Sequence, residues 1–313
     1  MRAALKVSSN QAAVRMLQGI GIPAALQAAQ RFGIESVPGV WSLALGSGEV
    51  TLLSMTAAYA AFANDGMRPS PIMIRRVETT EGEVLYATAP KVQRAVSEST
   101  AFLMTSMLSD VINGGTAWQA RSLGLSRPAA GKTGTTNDYR DAWFIGYTPH
   151  LATGVWVGYD RPRTIIARGY AATLAVPLWS RFMARATEHD DSASFQQPRT
   201  VTTATICRIS GKLATDACHD AVTYDKDGHL TNQPGAYTEY FVRGTEPVDY
   251  CDVHSYQSAP AMPVAVAAAV ASGAPPAPAE PPASAGRRGI FGWLLRRGDP
   301  PSRERSGEAR PAR

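Results

Sequence analysis

The chain has 313 residues, 44% hydrophobic and 18% charged, which is enough for a sizeable core with additional segments. Its formal net charge of +5 is unevenly placed: Gln257 to Arg313 holds eight arginines against four acids, so the rest of the chain is nearly neutral. A near-neutral body argues against a nucleic-acid-binding face, which needs Lys and Arg clustered on the folded surface. No uninterrupted apolar run is long enough to span a bilayer.

In chain order, Asn10 to Gln18 reads as a short helix behind a polar Ser8-Ser9-Asn10 start, ended by Gly19 and Gly21. Ala24 to Phe32 is a second helix, closed by Gly33. A Gly- and Pro-rich loop runs from Pro38 to Gly48. Leu52 to Phe62 is the clearest helix, stopped by Asn64-Asp65-Gly66. Ile72 to Val77 and Val84 to Ala87 flank Thr79-Thr80-Glu81-Gly82 as a hairpin. Ser97 to Ile112 is amphipathic and helical, and Asn113-Gly114-Gly115 ends it. Three strands follow: one around Lys132, then Ala142 to Tyr147 and Thr153 to Tyr159, the last two rich in aromatic and β-branched residues. Ala172 to Ala186 is a covering helix expected to turn Leu174, Leu178, Trp179, Phe182 and Met183 onto that sheet. Helices, an antiparallel sheet and a closing helix predict an α+β fold.

Beyond it, residues 191–256 form a smaller Cys-containing extension to a main domain of residues 1–190, with a strand in Val201 to Ile206. Residues 257–313 are a flexible tail. Its Ala/Pro-rich part, Ser258 to Ala285, cannot bury enough surface to fold. Its segment Gly286 to Gly298 sets a small apolar cluster between arginines, suited to weak contact with an anionic membrane surface.

The chemistry concentrates in Lys132-Thr133-Gly134-Thr135-Thr136. A cation and two hydroxyls on a strand suit an anionic carboxylate. Alternation puts Thr133 and Thr135 on one face, and Gly134 leaves room for a ligand backbone. Gly131-Lys132-Thr133 is also how a phosphate-binding loop ends, but that loop needs a glycine at position 126, where Ser126 stands, and a helix after the lysine. The phosphate reading fails on both counts.

Taken together the motifs resemble the transpeptidase domain of class A (bifunctional) penicillin-binding proteins. Ser8-Ser9-Asn10 is similar to that family's Ser-x-Asn element, and Lys132-Thr133-Gly134 to its Lys-Thr-Gly strand. Between them come Val37 to Val40, Ala44 to Thr51, the helix with Ala58-Tyr59, and Gly114-Gly115-Thr116-Ala117, in the family's order. The resemblance runs from about Ala3 to His254. It implies a penicillin-binding/serine β-lactamase-like fold and cleavage of a D-alanyl-D-alanine bond through an acyl-serine, to cross-link peptidoglycan stem peptides. β-Lactams would acylate the same serine. Ser8 would pass a proton to the leaving amine, positioned by Lys132. Asn10 would hold the substrate's backbone amide, and Thr133 and Thr135 its terminal carboxylate. The family's Ser-x-x-Lys is absent, because the residues three before Lys6, Lys91, Lys132, Lys212 and Lys226 are Ala3, Thr88, Ala129, Ile209 and Thr223. The expectation is that the nucleophile, a glycosyltransferase domain and a membrane anchor lie upstream, and that the full-length protein works on the periplasmic side of the cytoplasmic membrane. The other readings are a D,D-carboxypeptidase or serine β-lactamase, which share the Lys-Thr-Gly strand, and a non-catalytic binding module.

Cys207, Cys218 and Cys251 stand near His219 and His254, which raises a zinc site. Their spacing lacks a paired Cys-x-x-Cys, so the expectation is no metal and no cofactor, but one disulfide with an odd thiol. A disulfide requires an oxidising compartment, yet Met1 to Ser8 has no export signal.

Overall fold

The computed structural model describes residues 1–191, 193–224, 230–231 and 233–254. The expected linker and basic membrane-contacting segment lie outside the described residues. Eight α-helices occur among those described: α1 (Arg2–Lys6), α2 (Asn10–Ile20), α3 (Ile22–Arg31), α4 (Leu52–Ala63), α5 (Glu98–Gly114), α6 (Gln119–Ser122), α7 (Ala171–Ala186) and α8 (Asp216–His219). The strands are β1 (Met67–Pro69), β2 (Arg76–Glu78), β3 (Val84–Ala87), β4 (Val92–Arg94), β5 (Ala130–Thr135), β6 (Asp141–Tyr147), β7 (Ala152–Gly158), β8 (Val201–Cys207), β9 (Thr223–Tyr224), β10 (Leu230–Thr231) and β11 (Ala236–Val242).

Helix starts follow local chemistry. Ser9, Thr51 and Ser97 stand before α2, α4 and α5, and their hydroxyl oxygens accept from the backbone N–H of Ala12, Ser54 and Thr100. The expected hairpin forms, β2 pairing antiparallel with β3. A second small ladder, β1 with β4, escaped sequence reading because each strand has three residues.

The central sheet has the order β5-β6-β7, antiparallel throughout. Its two faces follow the period of two. Phe144 and Ala142 pack in the cluster that includes Ala171, Ala175, Val176, Trp179 and Met183 of α7. A side chain on Gly146, next in the same phase, would run into Trp179. Tyr147, one residue out of phase, packs instead with Leu108 of α5 and with Tyr59 and Phe62 of α4. The sheet is thus covered by α7 on one face and by α4 and α5 on the other. Trp179 anchors the first contact, its ring 4.8 Å from Phe144 and its indole N–H donating to Thr153 O at 3.0 Å. Burial pushes the Tyr147 phenol up, and its hydroxyl meets Thr105 Oγ1 at 2.9 Å.

The α7 stripe differs from expectation. Leu178 and Phe182 are exposed at 52% and 53%, whereas Ala171, Ala175, Val176, Trp179, Ser180 and Met183 are buried. Small residues win the sheet-facing row because they let the helix approach closely and leave the volume to one indole.

The Cys-containing extension is built on the β8–β11 hairpin, in register from Val201↔Val242 to Cys207↔Ala236. It is tied to the first helices by Arg2, whose guanidinium donates to Glu239 Oε2 at 2.8 Å, Asp110 Oδ2 at 3.1 Å and Ser106 Oγ at 2.9 Å. Phe102 stacks edge-on against Tyr240, and Ser99 Oγ meets Thr200 Oγ1 at 2.7 Å. Arg2 and Glu239 are both about five-sixths buried (side chains 15% and 16% exposed). Glu239→Ala leaves that arginine with only Asp110 as a charged partner and is expected to destabilise the fold by about 2 kcal/mol, read as a lowered denaturation midpoint. An unchanged midpoint would show that the hairpin does not depend on this ion pair.

Candidate functional site

The site begins with a glycine. A side chain on Gly115 would meet the Lys6 carbonyl oxygen at 2.5 Å and the Val111 α-carbon at 2.7 Å, so its absence lets α1 seat on the end of α5. The Thr116 N–H then donates to Lys6 O at 3.3 Å. This docking places the α1 C-terminus beside β5.

There α1 ends in a Schellman turn. Ser9 N–H bonds Ala4 O at 2.9 Å, and Ser8 N–H bonds Leu5 O at 3.1 Å. Ser8 takes the left-handed position at φ 57°. Glycine is the favoured residue there, because any side chain in that conformation is strained. A serine at this point departs from local preference, and its exposed hydroxyl reaches Lys132.

Lys132 Nζ donates to Ser8 Oγ at 2.8 Å across 124 positions of sequence. Pairing Lys132 with Ile145, and Thr133 with Phe144, puts their side chains on opposite sheet faces. The lysine stem nevertheless curls around the strand, and Nζ reaches Thr133 O at 2.8 Å and Thr133 Oγ1 at 3.4 Å. Burial lowers the Lys132 pKa from its ordinary value to about 8. Among the described residues β5 pairs on one side only, with β6, so its other edge is open to an extended ligand. A β-carbon on Gly134 would touch only Trp143 Cβ, at 3.4 Å, which leaves that stretch of the strand uncrowded.

Not every expected residue joins this cluster. Thr133 Oγ1 lies 2.7 Å from Thr116 Oγ1, so Thr116 belongs to the hydroxyl network although the sequence reading gave it no part. Its signal was present, a hydroxyl immediately after the Gly-Gly that ends α5. Thr135 Oγ1 instead accepts from the Ala171 N–H at 3.0 Å, at the start of α7. Its proton stays available to a ligand, but one lone pair is committed to the fold. Asn10 is exposed and opens α2, two residues after Ser8. His150 Nε2, exposed in the turn between β6 and β7, sits 2.7 Å from Asp191 Oδ1.

The expected disulfide does not form: Cys207, Cys218 and Cys251 are all free and buried. They converge with His254 instead, the four ligand atoms lying within 4.8 Å of one another. Three separate chain segments bring four donors to one point, so no pair of sulfurs is singled out. The overlooked sequence cue was Cys251-x-x-His254.

Residues 1–162 match the family described as penicillin binding protein transpeptidase domain, and residues 197–256 match the C-terminal domain of penicillin-binding protein 1A. The chain is 33% identical over 294 residues to penicillin-binding protein 1A of Pseudomonas aeruginosa, covering 77% of this chain and 34% of that protein. It is 40% identical over 190 residues to the Neisseria lactamica protein of that name, covering 58% of this chain and 24% of the relative. The chain therefore spans about a third of the first of these relatives and about a quarter of the second. Among solved structures, penicillin-binding protein 1A of Haemophilus influenzae matches with TM-score 0.69 and 27% identity, over 80% of this chain and 41% of that one. PonA1 of Mycobacterium tuberculosis in complex with penicillin V matches at TM-score 0.55 and 28% identity, over 63% of this chain and 59% of that one.

Proposed function

This chain belongs to the penicillin-binding protein transpeptidase family, and we propose that it carries the substrate-binding and proton-relay half of a peptidoglycan D,D-transpeptidase. The observation that carries the reading is the 2.8 Å bond between Lys132 Nζ and Ser8 Oγ, which joins two motifs 124 residues apart at an open strand edge. In this reading, a stem peptide ending in D-Ala-D-Ala lies along β5. Thr133 and Thr135 hydroxyls hold its carboxylate, with the Lys132 ammonium close by. Asn10 holds a backbone amide of the substrate. Thr116 orients the Thr133 hydroxyl.

A serine of an upstream Ser-x-x-Lys motif attacks the penultimate carbonyl, and its proton passes to the lysine of that motif. The C–N bond breaks, and the departing D-Ala nitrogen takes its proton from Ser8, whose hydroxyl is oriented by Lys132. The Thr135 backbone N–H is one oxyanion donor. An acceptor amine then attacks the acyl-serine and releases it. No serine stands three residues before a lysine in these 313 residues, so the nucleophile comes from a segment outside them. With it we place a glycosyltransferase domain and a membrane anchor, at the periplasmic side of the cytoplasmic membrane. The match of residues 197–256 to a penicillin-binding protein 1A domain favours this over a carboxypeptidase or β-lactamase.

Fluorescent penicillin tests the proposal. The 313-residue chain is expected to take no covalent label, and a polypeptide that joins it to an upstream segment containing Ser-x-x-Lys is expected to be labelled stoichiometrically. Absence of label on the longer polypeptide would sink the reading.

A further inference from the structure

The extension's core is small where its separate pieces meet. Its buried cluster consists of Cys207, Cys218, Ala236 and Cys251, with Ala214 packed against it. Elsewhere in the extension, among the described residues, Val201 and Ile206 are also buried, but both lie on β8, so little apolar surface joins the hairpin, the one-turn helix and the terminal segment at this cluster. A cross-link here would add to that small core, and the residues present are metal ligands.

The donors arrive from three directions. Cys207 ends β8, Cys218 lies in α8, and Cys251 and His254 come from the segment after β11. Backbone bonds hold these pieces in place: Cys207 N–H to Lys212 O and Cys251 N–H to Leu213 O, both at 2.8 Å. His254 Nδ1 faces the sulfurs, 3.3 Å from Cys207 Sγ and 3.6 Å from Cys251 Sγ. A tetrahedral zinc with Zn–S of about 2.3 Å and Zn–N of about 2.05 Å requires sulfur-to-nitrogen separations near 3.6 Å. Two edges of the cage are already close to that length, and all four ligand atoms lie within 4.8 Å of one another.

Each sulfur also receives one backbone N–H, at 3.4 Å in all three cases: Ser210 to Cys207, Thr215 to Cys218 and His254 to Cys251. N–H groups aimed at sulfur stabilise thiolates, the form a metal binds. The Thr215 hydroxyl donates to His254 O at 3.1 Å and so steadies the fourth ligand's backbone. A disulfide would use two of these sulfurs and leave a thiol and an imidazole without a purpose.

We propose that Cys207, Cys218, Cys251 and His254 form a structural zinc site that fastens the C-terminal extension. Binding exchanges the protons of the cysteine thiols for Zn2+, and neutral His254 contributes Nδ1. Four protein ligands close the coordination sphere, so the site is structural and leaves no open position for catalysis.

The test uses the full 313-residue chain, purified under reducing conditions with zinc supplied and then dialysed. Elemental analysis is expected to find one zinc per chain, and the three cysteines should resist alkylation until a chelator is added. Substituting Co2+ should give the intense visible bands of a tetrahedral thiolate site. Cys218→Ser and His254→Ala are expected to weaken metal binding at least about tenfold, whereas His254→Cys, which restores a fourth ligand, should retain it. Zinc below about a tenth of an equivalent together with no cobalt spectrum would overturn the proposal. So would a disulfide between any two of the cysteines in folded, metal-free protein.

Discussion

Ser8→Gly is expected to leave the fold intact or firmer while slowing acylation of the longer polypeptide proposed to supply the serine nucleophile. Ser8 occupies the left-handed position of the turn that ends α1, at φ 57°. Glycine there relieves roughly 1 kcal/mol of backbone strain. The same change deletes the hydroxyl that accepts from Lys132 Nζ. In the longer polypeptide that supplies the serine nucleophile, the rate of acylation by penicillin should fall about 10²–10⁴-fold, the usual contribution of a positioned proton donor. A denaturation midpoint and a stopped-flow acylation rate measured on one preparation separate the two effects. Lower stability with an unchanged rate would mean that the serine serves the turn and not the reaction. A strained residue retained where glycine is preferred is a pattern met at functional sites, and the second hydrogen-bond partner makes it specific here.

The second large effect concerns Lys132. Lys132→Ala is expected to abolish acylation of the longer polypeptide, by about 10³-fold or more, without unfolding it, because the side chain's bonds are made at the sheet edge. Labelling at the wild-type rate would remove the lysine from the mechanism. Its protonation supplies an independent check. Burial holds the folded pKa at about 8, below the ordinary lysine value of 10.5. The proposed roles, orienting Ser8 and attracting a carboxylate, need the ammonium, so acylation should decline as pH rises through about 8. A rate that instead rises to a plateau across that pH would assign the neutral amine a role as base. The stability effect has the opposite sign. Between pH 8 and 10.5 the unfolded chain holds the Lys132 proton and the folded chain does not, so stability gained at this residue increases with pH across that window. Lys132→Ala should remove that increment.

Much of the fold was legible along the chain because its determinants are local. Ser9, Thr51 and Ser97 cap helices that begin within a residue or two of the expected places, and Gly66 and Gly115 mark where two of them stop. Period-two alternation put Thr133 and Thr135 on one face of a strand and Lys132 on the other, as the pairing with β6 does. The α7 stripe was misjudged at Leu178 and Phe182 because hydrophobicity ranks side chains by size. Packing against a sheet ranks them by how closely the backbones can approach.

By itself the sequence determined the order and identity of the motifs, the α+β class and the exclusion of a phosphate loop, since each rests on residues within a few positions of one another. Tertiary structure alone decided which hydroxyl Lys132 meets, that Thr116 joins Thr133 while Thr135 is partly committed to α7, and that the three cysteines gather around His254 and form no disulfide. Those facts depend on contacts between segments far apart in the chain. No spacing rule encodes them, because the docking of α1 on Gly115 and the meeting of Cys207 at the end of β8 with Cys251 and His254 are set by how whole elements pack.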